Sequence, residues 1–167
     1  MNIEQIPVGE NPPYDVNVII EIPMGGNPVK YEIDKKSGAM YVDRFLHTAI
    51  YYPCNYGFIP HTLSDDGDPT DAAVLGQIPV IPGVPVDDLH PFYGDVGSYR
   101  DIRPIMLEQI QHFFEHYKDL EPGKWVKVQR WGEAEEAMEL IRAANRREAD
   151  RVTEADRTYR DSIFTDG

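Results

Sequence analysis

The chain has 167 residues, room for one domain and hardly for two. It carries 16 Lys and Arg against 29 Asp and Glu, a formal charge of −13 that speaks against nucleic acid or an anionic membrane surface as partner, since both need a basic face. A hydrophobic share of 41% sustains a packed core, and one cysteine, Cys54, excludes an intrachain disulfide and a Cys-rich zinc site. The opening MNIEQIPVGE has no basic n-region and no apolar h-region, and no apolar run approaches ~18 residues, so a cytoplasmic chain without a membrane span is expected.

The first half has the patterning of short strands. Val16 to Ile22 is β-branched and apolar with Glu21 as its one charge, and Val29 to Asp34 alternates strictly after the GGNP turn at Gly25 to Pro28. Met40 to Phe45 and Ile50 to Ile59 continue the series, and Gln77 to Val84 is expected as an edge strand because Pro79 and Pro82 cannot donate to a ladder. Strands of this length, spaced by Gly, Pro, Asn and Asp, predict an antiparallel meander closing into a small barrel. Ser64 to Asp71, SDDGDPTD, is expected as a loop.

The second half changes character after a polar and aromatic connection at Asp87 to Arg100. A helix is predicted from about Arg103 to Lys118, with Asp101 as N-cap, Pro104 in the first turn, and Met106, Ile110, Phe113 and Tyr117 on one stripe. A strand is expected at Trp125 to Gln129, then an amphipathic helix and tail over about residues 133–167, with Ala134, Ala137, Met138 and Ile141 on one face.

Three constellations carry chemistry. Asp65, Asp66, Asp68 and Asp71 crowd into seven residues, and two carboxylates ~5 Å apart repel by roughly 3 kcal/mol at an effective dielectric near 20. Such a loop is either a solvated turn or a divalent-cation site, and its oxygen-only ligands favour Mg²⁺ or Mn²⁺ over Zn²⁺. Charges set inside strands form the second group: Glu21 interrupts an otherwise apolar strand, Lys30 and Glu32 share one face of theirs, Arg44 sits between apolar residues, and Tyr52 and Tyr56 flank a PCN turn. These offer acids to metals, and Lys, Arg and Tyr to phosphoryl oxygens. The third is His112-Phe113-Phe114-Glu115-His116, an H-x-x-E-H pattern with both histidines on one helical face, which a zinc peptidase uses. No third ligand stands out downstream, and packed or surface histidines explain the pattern better.

EIPMGGNPVKYEIDKKSGAMYVDR, YYPCNYGFI, DGDPTD and HFFEHYKDLEPGKWVKV together resemble the soluble family I inorganic pyrophosphatases of bacteria, from about Gln5 to Trp131. The resemblance implies a five-stranded OB-like barrel flanked by two helices within a single domain over residues 1–167, commonly assembled as a hexamer, that hydrolyses pyrophosphate with Mg²⁺. Carried over by position, Asp66 and Asp71 match metal ligands and Asp68 the acceptor of the attacking water's proton. Lys30, Arg44, Tyr56, Tyr117 and Lys118 match groups that grip phosphate, while Glu21, Glu32 and Tyr52 match residues around the metal-bound waters and the cavity. Thr70 stands where the family usually has an aliphatic residue.

One departure is larger. After Ile78 to Val84 the family continues into a hairpin of roughly two dozen residues, a two-strand length, which the resemblance credits with an Arg, two more metal-binding Asp and a Lys. Here Val84 runs straight into Pro85-Val86-Asp87-Asp88-Leu89. The reading at this point divides between a working pyrophosphatase, a weakened one with a true deletion that leaves the barrel incomplete, and a non-catalytic metal- or phosphate-binding or assembly subunit.

Overall fold

A computed structural model describes residues 2–35, 37–81, 83–84 and 93–165, with side chains to residue 159. Its strands are β1 (Ile19–Ile22), β2 (Val29–Ile33), β3 (Met40–Phe45), β4 (Asn55–Ile59) and β5 (Thr70–Val74), followed by helices α1 (Pro104–His116) and α2 (Ala134–Thr165). β1, β4 and β5 form an antiparallel sheet in the order β1-β4-β5, while β2 and β3 form a separate antiparallel hairpin. The expected mostly-β chain with two helices is borne out; the barrel wall is divided between two sheets in the described residues.

Apolar content decides which strand goes innermost. All four residues of β1 are buried, Glu21 among them. Ile19 packs with Ile3, Ile33 and Phe58, whereas Ile22 packs with Leu46, Tyr52 and Phe113 of α1, so β1 has a core cluster toward each end. Gly57 permits the close approach of β4: a Cβ there would lie 1.8 Å from the Ile19 carbonyl oxygen. The predicted stripe of α1 is the packing face, with Ile110 and Phe113 buried.

Four expectations are corrected. Among the described residues Gln77 to Val84 forms no strand; Gly83 bridges Ile20, and buried Asn55 holds the segment through Val80 N (2.9 Å) and Ile78 O (3.2 Å). The prolines that suggested an edge strand remove donors, and one side-chain amide replaces the ladder. Trp125 to Gln129 is likewise irregular, with Val128 N donating to Glu115 Oε1 on α1 (3.3 Å). β5 begins inside the predicted loop, at Thr70. Asp101 does not cap α1, whose N-cap is Arg103; it closes a reciprocal capping box with Ser98 on the short 3₁₀ turn Tyr99–Asp101. The Val84–Pro85 junction and Asp87 to Leu89 lie outside the described residues.

Candidate active site

The carboxylate loop is built from its own side chains. Thr62 donates to Ile59 O (2.6 Å) and accepts from Thr70 N (2.9 Å), while Ser64 N donates to Asp68 O (2.7 Å). These bonds close the neck, and Gly67 turns the tip at φ +93°, a left-handed conformation that a side chain rarely adopts. Asp68 N donates to Asp66 Oδ1 (3.2 Å), fixing one acid against the other's backbone.

Two β-bulges supply further acids. In the pairing of β1 with β4, Ile20 faces Gly57 and Ile22 faces Tyr56, leaving Glu21 as the extra residue. Its Oε1 accepts from Ile33 N at 2.7 Å, so this carboxylate ties the sheet to the hairpin. Between β2 and β3 the extra residue is Asp43, which meets Lys30 Nζ at 3.3 Å and Arg44 Nε at 2.8 Å. A bulge re-aims a side chain that strict alternation would send elsewhere.

α1 completes the enclosure through its C-terminal end. Phe113 seats against Tyr52 with ring centroids 4.4 Å apart, which directs Phe114, Tyr117 and Lys118 toward the loop. The last carbonyls of the helix are held by the segment after β3, where Thr48 Oγ1 donates to Tyr117 O (3.1 Å).

These elements enclose one cavity of about 180 Å³. Glu21, Glu32, Asp66, Asp68 and Asp71 supply its acids, Lys30, Lys35 and Lys118 its cations, and Tyr52, Tyr56 and Tyr117 its hydroxyls; Lys35 is a lining cation that the sequence reading left in a turn. That volume is below the range of drug-sized pockets and suits a small, compact ligand. Ten of the eleven residues singled out above therefore line one space. Arg44 is the exception: its Nη1 lies 3.2 Å from Glu121 Oε2, which also accepts from Lys124 Nζ at 2.6 Å. Glu121 itself escaped the sequence reading. Its side chain is buried, with Oε1 left unpartnered, and the sequence placed it only as one more charge after a helix.

The electrostatics call for a cation. Burial pushes the Glu21 carboxyl up to about 7; the Ile33 amide opposes this and Glu32 adds to it. Asp71 is also raised, first by burial and further by Asp66 and Asp68, against hydrogen bonding from Tyr56 and the charge of Lys30. Burial raises the Tyr52 and Tyr56 phenols above their ordinary value, so both remain neutral donors. The acids of this lining are all oxygen donors, a set that fits a hard divalent ion. Among the described residues no three His, Cys, Asp or Glu side chains close on one point. Mg²⁺ tolerates that arrangement, because it keeps several waters and needs only one or two carboxylates.

The histidine pattern has a different outcome. The His112 and His116 rings lie 4.4 Å apart, but His116 Nδ1 pairs with Asp119 Oδ2 at 2.7 Å and no third ligand joins them among the described residues.

Comparison with known proteins decides the family. The inorganic pyrophosphatase family matches this chain over residues 18–87 and again over 83–149. The chain belongs to the inorganic pyrophosphatase family. An inorganic pyrophosphatase of Caulobacter vibrioides is 55% identical over 172 aligned positions, covering 88% of this chain and 97% of that protein. One from Rhodospirillum rubrum is also 55% identical, over 84% of this chain and 93% of its own length. The crystal structure of an inorganic pyrophosphatase from Thermus thermophilus superposes with a TM-score of 0.82 at 36% identity, over 89% of this chain and 99% of that one. These family members support neither the zinc-peptidase reading nor a separate binding class.

The same comparisons locate the break. The Caulobacter alignment spans 172 positions, yet 88% of 167 residues is about 147, so about 25 positions of the relative face no residue here. The two family matches overlap at residues 83–87, which sets the gap beside Val84.

Proposed function

We propose that this chain hydrolyses inorganic pyrophosphate to two orthophosphates in a Mg²⁺-dependent reaction, with Mn²⁺ able to substitute. The observation that carries this reading is the convergence on one small cavity of five carboxylates with three lysines and three tyrosines. Asp66 and Asp71 would hold the cation, which when bound supplies positive charge and a water of lowered pKa. Asp68, on the exposed limb of the loop, accepts the proton of the attacking water. Lys30, Lys118, Tyr56 and Tyr117 bind and orient the phosphoryl oxygens, and Arg44 joins them on leaving Glu121. Glu21, Glu32 and Tyr52 complete the hydrogen bonding around the water shell. Fixed charges aimed at a transferring phosphoryl group supply most of the catalysis in such reactions.

The chain acts as a single domain, in the cytoplasm and as a homo-oligomer, the hexamer implied by the resemblance. Support for self-association is the exposed apolar surface of β3, where Tyr41, Val42 and Phe45 are all more than half exposed. Among the described residues no helix is long and apolar enough to cross a membrane. Phosphate release from pyrophosphate and from a simple monoester, each with Mg²⁺ and with chelator, tests the reading. Equal rates on both substrates, or full activity in chelator, would overturn it.

A further inference from the structure

The carboxylate loop has open volume on both faces. On one side lies the 180 Å³ cavity, and on the other a cavity of about 440 Å³ bounded by Gly67 and Pro69 of the loop and by Glu148 and Arg151 of α2. With so little packed against it, the loop depends on its neck for position. The bonds of Thr62 and Ser64 close that neck, and Thr62 together with the Ile59–Thr70 pairing ties its base to β4, which leaves the stretch from His61 to Asp68 to be held from outside.

α2 supplies the outer ties. Leu63 N donates to Ala144 O (3.0 Å), Asn145 Nδ2 donates to His61 O (2.8 Å), and Arg147 Nε donates to Leu63 O (2.7 Å). Arg147 Nη1 also lies 3.3 Å from Asp65 Oδ1. The Asp65 side chain is 93% exposed, so that ion pair contributes little. The bond to the Leu63 carbonyl is partly buried and has a charged donor, which makes it the stronger contact. Ala144 is the only fully buried residue among the described side chains of α2, so the helix meets the neck through polar ties.

We propose that Arg147 is a positioning residue for the carboxylate loop: by holding Leu63 O it fixes the neck three residues before Asp66, and with it the placement of Asp66 and Asp68. Arg147 acts on the loop backbone and does not touch substrate. The consequence for cation binding rests on the pyrophosphatase reading; the mechanical role does not.

Amide hydrogen exchange on the full chain in chelator tests that role directly. In Arg147→Gln, the amides of Leu63, Ser64, Gly67 and Asp68 are expected to exchange about tenfold faster, the effect of losing one charge-assisted hydrogen bond. Those of Ile20 and Phe58 in the sheet should be unchanged. Arg147→Lys, which keeps a charged donor for the Leu63 carbonyl and stands in if Arg147→Gln does not fold, is expected to restore part of the protection. Calorimetric titration with Mg²⁺ should show weaker binding by several-fold, and kcat should stay below wild type at saturating Mg²⁺ because Asp68 rides on the same loop. Unchanged loop exchange in Arg147→Gln, uniform acceleration across the sheet, or loop exchange in Arg147→Lys as fast as in Arg147→Gln would overturn the proposal. A wild-type chain that takes up no Mg²⁺ and releases no phosphate would count against the pyrophosphatase reading alone, since the exchange comparison needs neither.

Discussion

The amide of Ile33 lies 2.7 Å from Glu21 Oε1, so a buried carboxyl joins the β2–β3 hairpin to β1. The group serves the fold and the cavity at once, and its titration couples them.

Glu21 is raised from 4.5 to about 7 by burial, so the folded chain binds more protons than the unfolded one between those values. Its contribution to stability is complete below pH 4.5 and is lost as pH rises toward 7. Glu21→Gln removes this titration and keeps an acceptor for Ile33. In chelator its melting temperature should match wild type near pH 4.5 and exceed it at pH 8, by the equivalent of up to about 3 kcal/mol. Thermal melts at the two values check this; an advantage confined to low pH would reverse the assignment.

Asp68 and Asp71 both reach solvent in one cavity but have different neighbours: Asp71 is hydrogen-bonded to Tyr56, whereas Asp68 stands on the loop beside Gly67. Asp68→Asn is expected to lose at least a hundredfold in turnover, the range of a positioned proton acceptor, with Mg²⁺ affinity nearly intact. Asp71→Asn should lose affinity and turnover together. Calorimetry on both variants separates the two roles, and equal losses of affinity would merge them.

Arg44 rests on Asp43 and Glu121, outside the cavity lining. Substrate must draw it away from Glu121, so Glu121→Gln should lower KM for pyrophosphate by about two- to fivefold, the worth of a partly exposed ion pair. A higher KM would mean that Glu121 aims Arg44 toward the substrate.

The gap beside Val84 removes about 25 positions that the Caulobacter relative retains. The resemblance gives that segment two metal-binding aspartates, so grafting a family hairpin between Val84 and Pro85 should tighten Mg²⁺ binding by more than tenfold. Turnover should rise further, and the melting temperature should increase. Side-by-side assays at saturating Mg²⁺ decide this: equal rates would show that the segment is dispensable.

Much of the site was legible because its residues are chemically anomalous where they stand. A glutamate in an apolar strand and a lysine at a strand centre announce themselves, and the aspartate-rich loop uses turn residues in excess of what a turn needs. What stayed hidden has no periodic signature. Asn55 replaces a strand ladder with one amide, and the sequence marks it only as part of a turn beside Cys54. β5 begins within the polar loop, so its pairing with β4 set its conformation over local propensity. Trp125 to Gln129 has strand-like composition, but its Val128 amide is taken by Glu115 on α1. The Glu21 and Asp43 bulges shift register by one residue, a change that alternation alone cannot reveal.

α2 runs 32 residues to Thr165, well past the end of the family match at residue 149. At 1.5 Å per residue it is about 48 Å long, whereas a compact chain of this length has a radius of gyration of about 15 Å. Every described side chain from Asp150 onward is exposed. The molecule therefore has a spike, and its hydrodynamic drag and longest scattering distance are set by the final turns of that helix rather than by the body that holds the cavity.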